Sequence, residues 1–143
     1  MKTHTVLKKN IERKWYLVDA NDIRLGKLAS VVASLLIGKG KVAFTKNLNV
    51  GDCVVVLNAE KISVSANKKE TKTYFKHSGY VGNYKVETLG NLLERKPEEV
   101  IIKAVSGMLP KNKLRSEYLK NLHVYAGDKH KYEAQKPVKI EIK

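Results

Sequence analysis

Between residues 67 and 85, Lys68, Lys69, Lys72, Lys76 and Lys85 are interleaved with Tyr74, Phe75, Tyr80 and Tyr84. Ammonium groups neutralise phosphates and aromatic rings stack on splayed bases, so the mixture suits RNA better than duplex DNA, whose bases are already stacked. Any one of these rings could instead pack into a core, but the density of lysines in the same stretch favours RNA. His77 beside Ser78 suggests a base and a nucleophile. Adjacent side chains usually diverge, however, and no third group is spaced to orient the imidazole, so His77 reads as a hydrogen-bond donor to a phosphate or a stacking group. Gly38-Lys39-Gly40-Lys41 resembles a phosphate loop only superficially. It lacks the required spacing and follows a helix, so no nucleotide site is expected, although its lysines can approach an RNA backbone. His4, His77, His123 and His130 are far apart and no metal-ligand spacing accompanies them, so neither a metal nor a cofactor is expected. Asp19, Asp22 and Asp52 fall near strand ends, where a hydrolase would place carboxylates, yet acids there are equally ordinary turn formers.

The whole chain has the same bias. Its 28 Lys+Arg against 14 Asp+Glu give a formal charge of +14 over 143 residues, which calls for a polyanionic partner. With 43% hydrophobic residues there is apolar material for one core, so the charge is displayed on a fold rather than on a disordered chain. The single cysteine, Cys53, lies in an apolar run and fits a reducing compartment. No stretch of signal-peptide or membrane-spanning length occurs, so a cytoplasmic protein without a membrane partner is expected.

The elements that must hold these side chains follow from periodicity. Trp15-Tyr16-Leu17-Val18-Asp19 reads as a strand that breaks at Asn21-Asp22. Leu25, Leu28, Val32, Leu35 and Leu36 mark a largely buried helix stopped at Gly38. Cys53-Val54-Val55-Val56-Leu57 is apolar throughout, as a central strand covered on both faces would be. Strand, helix, strand then implies a right-handed parallel crossover through a lysine-rich loop at 38–49. Residues 61–65 alternate and suggest a further short strand, whereas 67–85 is the least core-like stretch. Thr88 fits the N-cap of a short helix ending at Arg95-Lys96. Pro97 opens the next helix, with Val100, Ile101, Ala104, Val105 and Met108 as its buried stripe and Pro110 beyond its end. Leu114, Tyr118 and Leu122 suggest another helical turn or two, followed by a short strand at His123-Val124-Tyr125-Ala126. The expected architecture is α/β, with a small, mainly parallel sheet between helices in one domain at 15–127. A basic extension at 1–14 precedes it, and a polar surface tail at 128–143 follows.

Gly107-Met108-Leu109-Pro110-Lys111-Asn112-Lys113-Leu114, followed by Val124-Tyr125-Ala126-Gly127, resembles the signature of the ribosomal protein L13 family of bacterial large subunits. Lys14-Trp15-Tyr16-Leu17-Val18-Asp19-Ala20, Leu25-Gly26-Lys27-Leu28-Ala29, Gly51-Asp52, Asn58-Ala59-Glu60-Lys61-Ile62, His77-Ser78-Gly79-Tyr80, Arg95-Lys96-Pro97-Glu98-Glu99 and Ala134-Gln135-Lys136-Pro137 occur in the family's order. The resemblance covers about 15–137. It implies a three-layer α/β/α fold, no catalytic activity, and a structural role in binding large-subunit ribosomal RNA early in assembly, beside neighbouring ribosomal proteins. The chain departs from the family at Val81-Gly82-Asn83, where Pro-Gly-Gly is common, and at Arg115-Ser116, where Gly-Arg is usual.

On this reading Lys27, Lys39, Lys41, Lys46, Lys68, Lys69, Lys72, Lys76, Lys111, Lys113 and Arg115 contact phosphates. His77, Tyr80 and His130 add hydrogen bonds or stacking. Lys113 and Arg115 are expected to be presented by a short helix. Two rival readings are an enzyme acting on nucleic acid through the strand-end carboxylates and His77, and a module for an acidic protein or anionic membrane. No small-molecule substrate is expected.

Overall fold

The structure, a computed structural model, describes residue 7 and residues 10–142. His4 and most of the basic extension, including Lys2, Lys8 and Lys9, lie outside the described residues.

Four parallel strands form the main sheet: β1 (Trp15–Asp19), β2 (Cys53–Leu57), β5 (Leu122–Val124) and β6 (Val138–Ile140), in the order β5-β2-β1-β6. Trp15 pairs with Cys53 and Asp19 with Leu57, Val54 with Leu122, and Tyr16 with Val138. Every residue of β2 is buried, as its unbroken apolar run requires of an interior strand. β6 belongs to the stretch read from sequence as a surface tail. The stretch does stay largely exposed, and within it β6 adds an edge strand to this sheet, paired with β1.

Alternation divides the sheet's faces. Val18, Val54, Val56 and Leu122 enter one core with α1 (Leu25–Ile37), α3 (Leu89–Arg95), α4 (Pro97–Met108) and α5 (Arg115–Lys120). On the opposite face Trp15 lies parallel to His123, with centroids 5.8 Å apart, and Tyr132 closes on both at 4.8 and 4.4 Å. The chain after β5, with a 3₁₀ turn at Glu133–Gln135, thus supplies the layer opposite the helices. The class is the expected α/β with a parallel sheet.

Local chemistry sets the boundaries. Gly38 ends α1 at φ 78°, its N–H bonding back to Ser34 and Leu35 carbonyls, a left-handed cap that favours glycine. Gly51 passes so close to α1 that a Cβ would lie 1.6 Å from the Leu36 carbonyl oxygen. Thr88 Oγ1 accepts from Asn91 N–H at the start of α3, and Pro97 occupies the first turn of α4 with Glu98 and Glu99 at its positive end. Met108 does not complete the buried stripe. It is 45% exposed in the last turn of α4, and Leu109 is buried in its stead.

One local expectation changes. Residues 61–65 form no strand: a 3₁₀ turn spans Ala59–Lys61, and Ser63 makes a single parallel bridge with Arg24. The segment from 67 to 85 is, as expected, almost wholly exposed, with only Tyr74 partly buried, and it is regular. It contains the short helix α2 (Ala66–Thr71) and an antiparallel hairpin of β3 (Thr73–His77) and β4 (Tyr84–Thr88), anchored by Tyr74 against the core.

Candidate nucleic-acid interface

α1 leaves the carboxyl edge of the sheet and ends at the amino edge, so the residues at its two ends belong to separate surfaces. At the carboxyl edge, a groove of about 650 Å³ is lined by Arg24, Lys27, Ser63, Ser65 and Lys68. The first turn of α1 has no acidic residue and Arg24 supplies no side-chain cap. The helix's positive end therefore adds to the three cations, making the groove attractive to phosphate. Through α2 this surface continues to Lys69 and Lys72 and into the hairpin.

At the amino edge, a groove of about 370 Å³ brings Lys39 and Lys46 to Phe44, Met108, Pro110 and Asn112. Lys111 and Lys113 are exposed in the adjoining turn. Arg115 opens α5 and turns its Nε–H toward the Pro110 carbonyl at 3.4 Å. Of the two residues expected on a helix, Lys113 precedes it. No Asp or Glu lines either groove.

Lys41 is the correction within this set. Its Nζ pairs with Asp52 at 2.5 Å and donates to the carbonyls of Glu12 and Val50 at 2.8 and 2.9 Å. Three acceptors match the three donors of an ammonium, leaving none for a phosphate. Asp52, whose side chain is 5% exposed, also accepts from the Lys14 N–H at 2.8 Å. The ion pair therefore ties the segment preceding β1 to the loop preceding β2. Asp19 likewise accepts from Asn58 Nδ2 at 2.9 Å and Asn21 N–H at 3.1 Å; the Asn58 bond chiefly holds its carboxyl below the ordinary range. Asp22 sits in a turn at φ 56°. The carboxylates of Asp19 and Asp52 are thus occupied by structural bonds. Burial pushes the Cys53 thiol up, keeping it a buried apolar group. Among the described residues no cluster of His, Cys, Asp and Glu is placed to hold a metal, and no helix is long and apolar enough to cross a membrane.

In the hairpin, Lys76 stands directly opposite Lys85. Like charges in that position oppose each other, and an anion would relieve them. The His77 Nδ1 accepts from Gly79 N–H at 2.9 Å, so its neutral form carries the proton on Nε2. Tyr80 is 77% exposed at the turn. His130, half-buried after β5, accepts the Tyr132 N–H at 3.2 Å.

Sequence reasoning missed Arg24, and it named Phe75 and Tyr84 only as members of an aromatic and basic stretch, without placing them on one face. Arg24 could have been found as the residue immediately before the first apolar position of α1. The shared face of the two aromatics follows from the hairpin register, which pairs Phe75 with Val86 and His77 with Tyr84.

A family model described as Ribosomal protein L13 matches residues 13–131. The chain is 49% identical to the large ribosomal subunit protein uL13 of Mycoplasmopsis pulmonis, with all of both chains covered. It is 50% identical to that of Levilactobacillus brevis, covering 99% of this chain and 97% of the relative. The uL13 of Corynebacterium diphtheriae is 48% identical, with 100% and 97% covered. Matches of this extent run through both basic edges, the hairpin and the buried sheet alike, and on that ground this chain belongs to the ribosomal protein L13 family.

Proposed function

We propose that the chain is a structural tie in the large ribosomal subunit, holding one segment of large-subunit RNA at each edge of its sheet. The carboxyl-edge group is Arg24, Lys27, Lys68, Lys69 and Lys72. The amino-edge group is Lys39, Lys46, Lys111, Lys113 and Arg115. The 13 residues of α1 separate the two by roughly 20 Å, so one rigid body spans two phosphate tracks. The observation that carries this reading is the division of exposed cations into two acid-free grooves at opposite ends of a buried sheet. Family membership supports a place on the cytoplasmic ribosome, a part in subunit assembly and neighbouring ribosomal proteins as further contacts. It gives no role to turnover. Lys76, His77 and Tyr80 extend the carboxyl-edge surface, and His130 is a peripheral contact.

Hydroxyl-radical footprinting of a large-subunit RNA transcript tests the tie. The wild type should protect two separated RNA segments. Lys27→Ala with Lys68→Ala should remove one, and Lys111→Ala with Lys113→Ala and Arg115→Ala the other, at unchanged melting temperature. A single continuous footprint that fades equally with both variants would overturn it.

A further inference from the structure

The outer face of the hairpin carries an inference that rests on the RNA-binding reading and goes beyond its phosphate contacts. The pairs Thr73 with Thr88, Phe75 with Val86 and His77 with Tyr84 place three rings on one face, while Tyr74 and the opposed Lys76 and Lys85 occupy the other. The Phe75 ring lies within 21° of parallel to His77 and 23° of Tyr84, with centroids 6.2 and 5.9 Å away. Those spacings exceed the about 3.5–4 Å of full facial contact, so the rings are offset and do not cover one another. Phe75 is 68% and Tyr84 60% exposed, and such an aromatic face on a folded chain marks a surface that another molecule covers.

Charge identifies that molecule. Lys76 and Lys85 face each other across the strands, and the nearby Glu87 is engaged by Arg95 through two hydrogen bonds of 3.1 and 2.7 Å, so the hairpin presents uncompensated positive charge. Rings amid lysines suit a chain that brings flat π-faces and phosphates together. Paired RNA keeps its bases inside the helix, whereas loops and bulges can splay them out.

We infer that Phe75, Tyr84 and His77 form a stacking platform for unpaired bases of large-subunit RNA, with Lys76 and Lys85 on the reverse face of the narrow hairpin adding attraction for the backbone.

The test is ultraviolet cross-linking of the full chain to a large-subunit RNA transcript carrying 4-thiouridine, paired with affinity measurements on two variants. Adducts should map within residues 73–86. Phe75→Ser with Tyr84→Ser should lose at least tenfold in affinity while keeping the wild-type melting temperature and the salt dependence of binding. Phe75→Tyr with Tyr84→Phe should stay within about twofold. Adducts confined to other segments would overturn the platform whether or not the serine variant folds. So would wild-type RNA affinity in the folded serine variant. If that variant also failed to enter large-subunit particles, the face would be assigned to a neighbouring protein while the RNA-binding reading stood. A wild-type chain that did not bind the transcript would overturn both.

Discussion

The two sheets of this chain differ in what covers them. In β2 all five residues are buried, and the apolar area of Val54, Val55 and Val56 is used in folding at about 1.5–3 kcal/mol per side chain. In β3 only Tyr74 leaves the surface, while Phe75, Tyr84 and Val86 remain open to solvent. The same contrast holds for charge: Lys41 of the sheet's amino edge spends its ammonium on Asp52 and two carbonyls, whereas Lys76 faces another lysine. The difference separates residues that specify the fold from residues that remain available to a partner, even though their types overlap.

The most damaging way to probe the contrast is to charge both sheets. Val55→Asp should cost about 4 kcal/mol or more in urea unfolding, because an unpaired carboxylate would enter the core. Phe75→Asp should stay within about 0.5 kcal/mol and weaken RNA binding instead. Similar losses of stability in both would erase the distinction.

A smaller effect is expected from the lysines. Lys41→Met should cost about 3 kcal/mol by leaving Asp52 buried without its partner, and adding Asp52→Asn should recover part of it. Lys76→Met should leave stability unchanged or slightly improved while lowering RNA affinity. Equal stability of the two single variants, measured by denaturant titration, would mean that the Lys41 pair does not tie the loops together.

The smallest effect concerns protons. His123 lies between Trp15 and Tyr132, and burial lowers its pKa from the ordinary 6.5. As pH falls below that value the unfolded chain takes up the proton before the folded one. The stability contribution is therefore complete above 6.5 and is lost as pH falls through the folded value. His123→Phe should flatten this part of the stability profile, while replacing the exposed His77 should leave it in place. An unchanged profile in His123→Phe would show that the ring is not held neutral.

The core elements were legible because each leaves a local pattern: the unbroken run of β2, the spacing of Leu25, Leu28 and Val32, the cap at Thr88 and the proline at 97. The hairpin was obscured because aromatic residues fall on both of its faces, with Tyr74 beside Lys76 and Lys85 on one and Phe75 and Tyr84 on the other, so hydrophobicity alone does not reveal period two. β6 was hidden for another reason. Val138-Lys139-Ile140 is a short edge strand in polar sequence, and its partner Tyr16-Leu17-Val18 lies at the other end of the chain. For the interface, composition identified abundant cations without distinguishing those bound internally. Nothing near Lys41 announces that it folds back on Asp52, and Phe75 could not be told from a core ring before its register was known.

The central claim, that the exposed cations at the two edges grip RNA, is tested most directly by titrating salt against affinity for large-subunit RNA. Each neutralised phosphate contributes roughly −0.7 to −0.9 to the log-log slope, so about six contacts give roughly −4 to −5. The account predicts a slope in that range, shallower by one to three when either edge is stripped of its lysines and unchanged in Phe75→Ser with Tyr84→Ser. A slope near zero, or one indifferent to the loss of both edges, would contradict it.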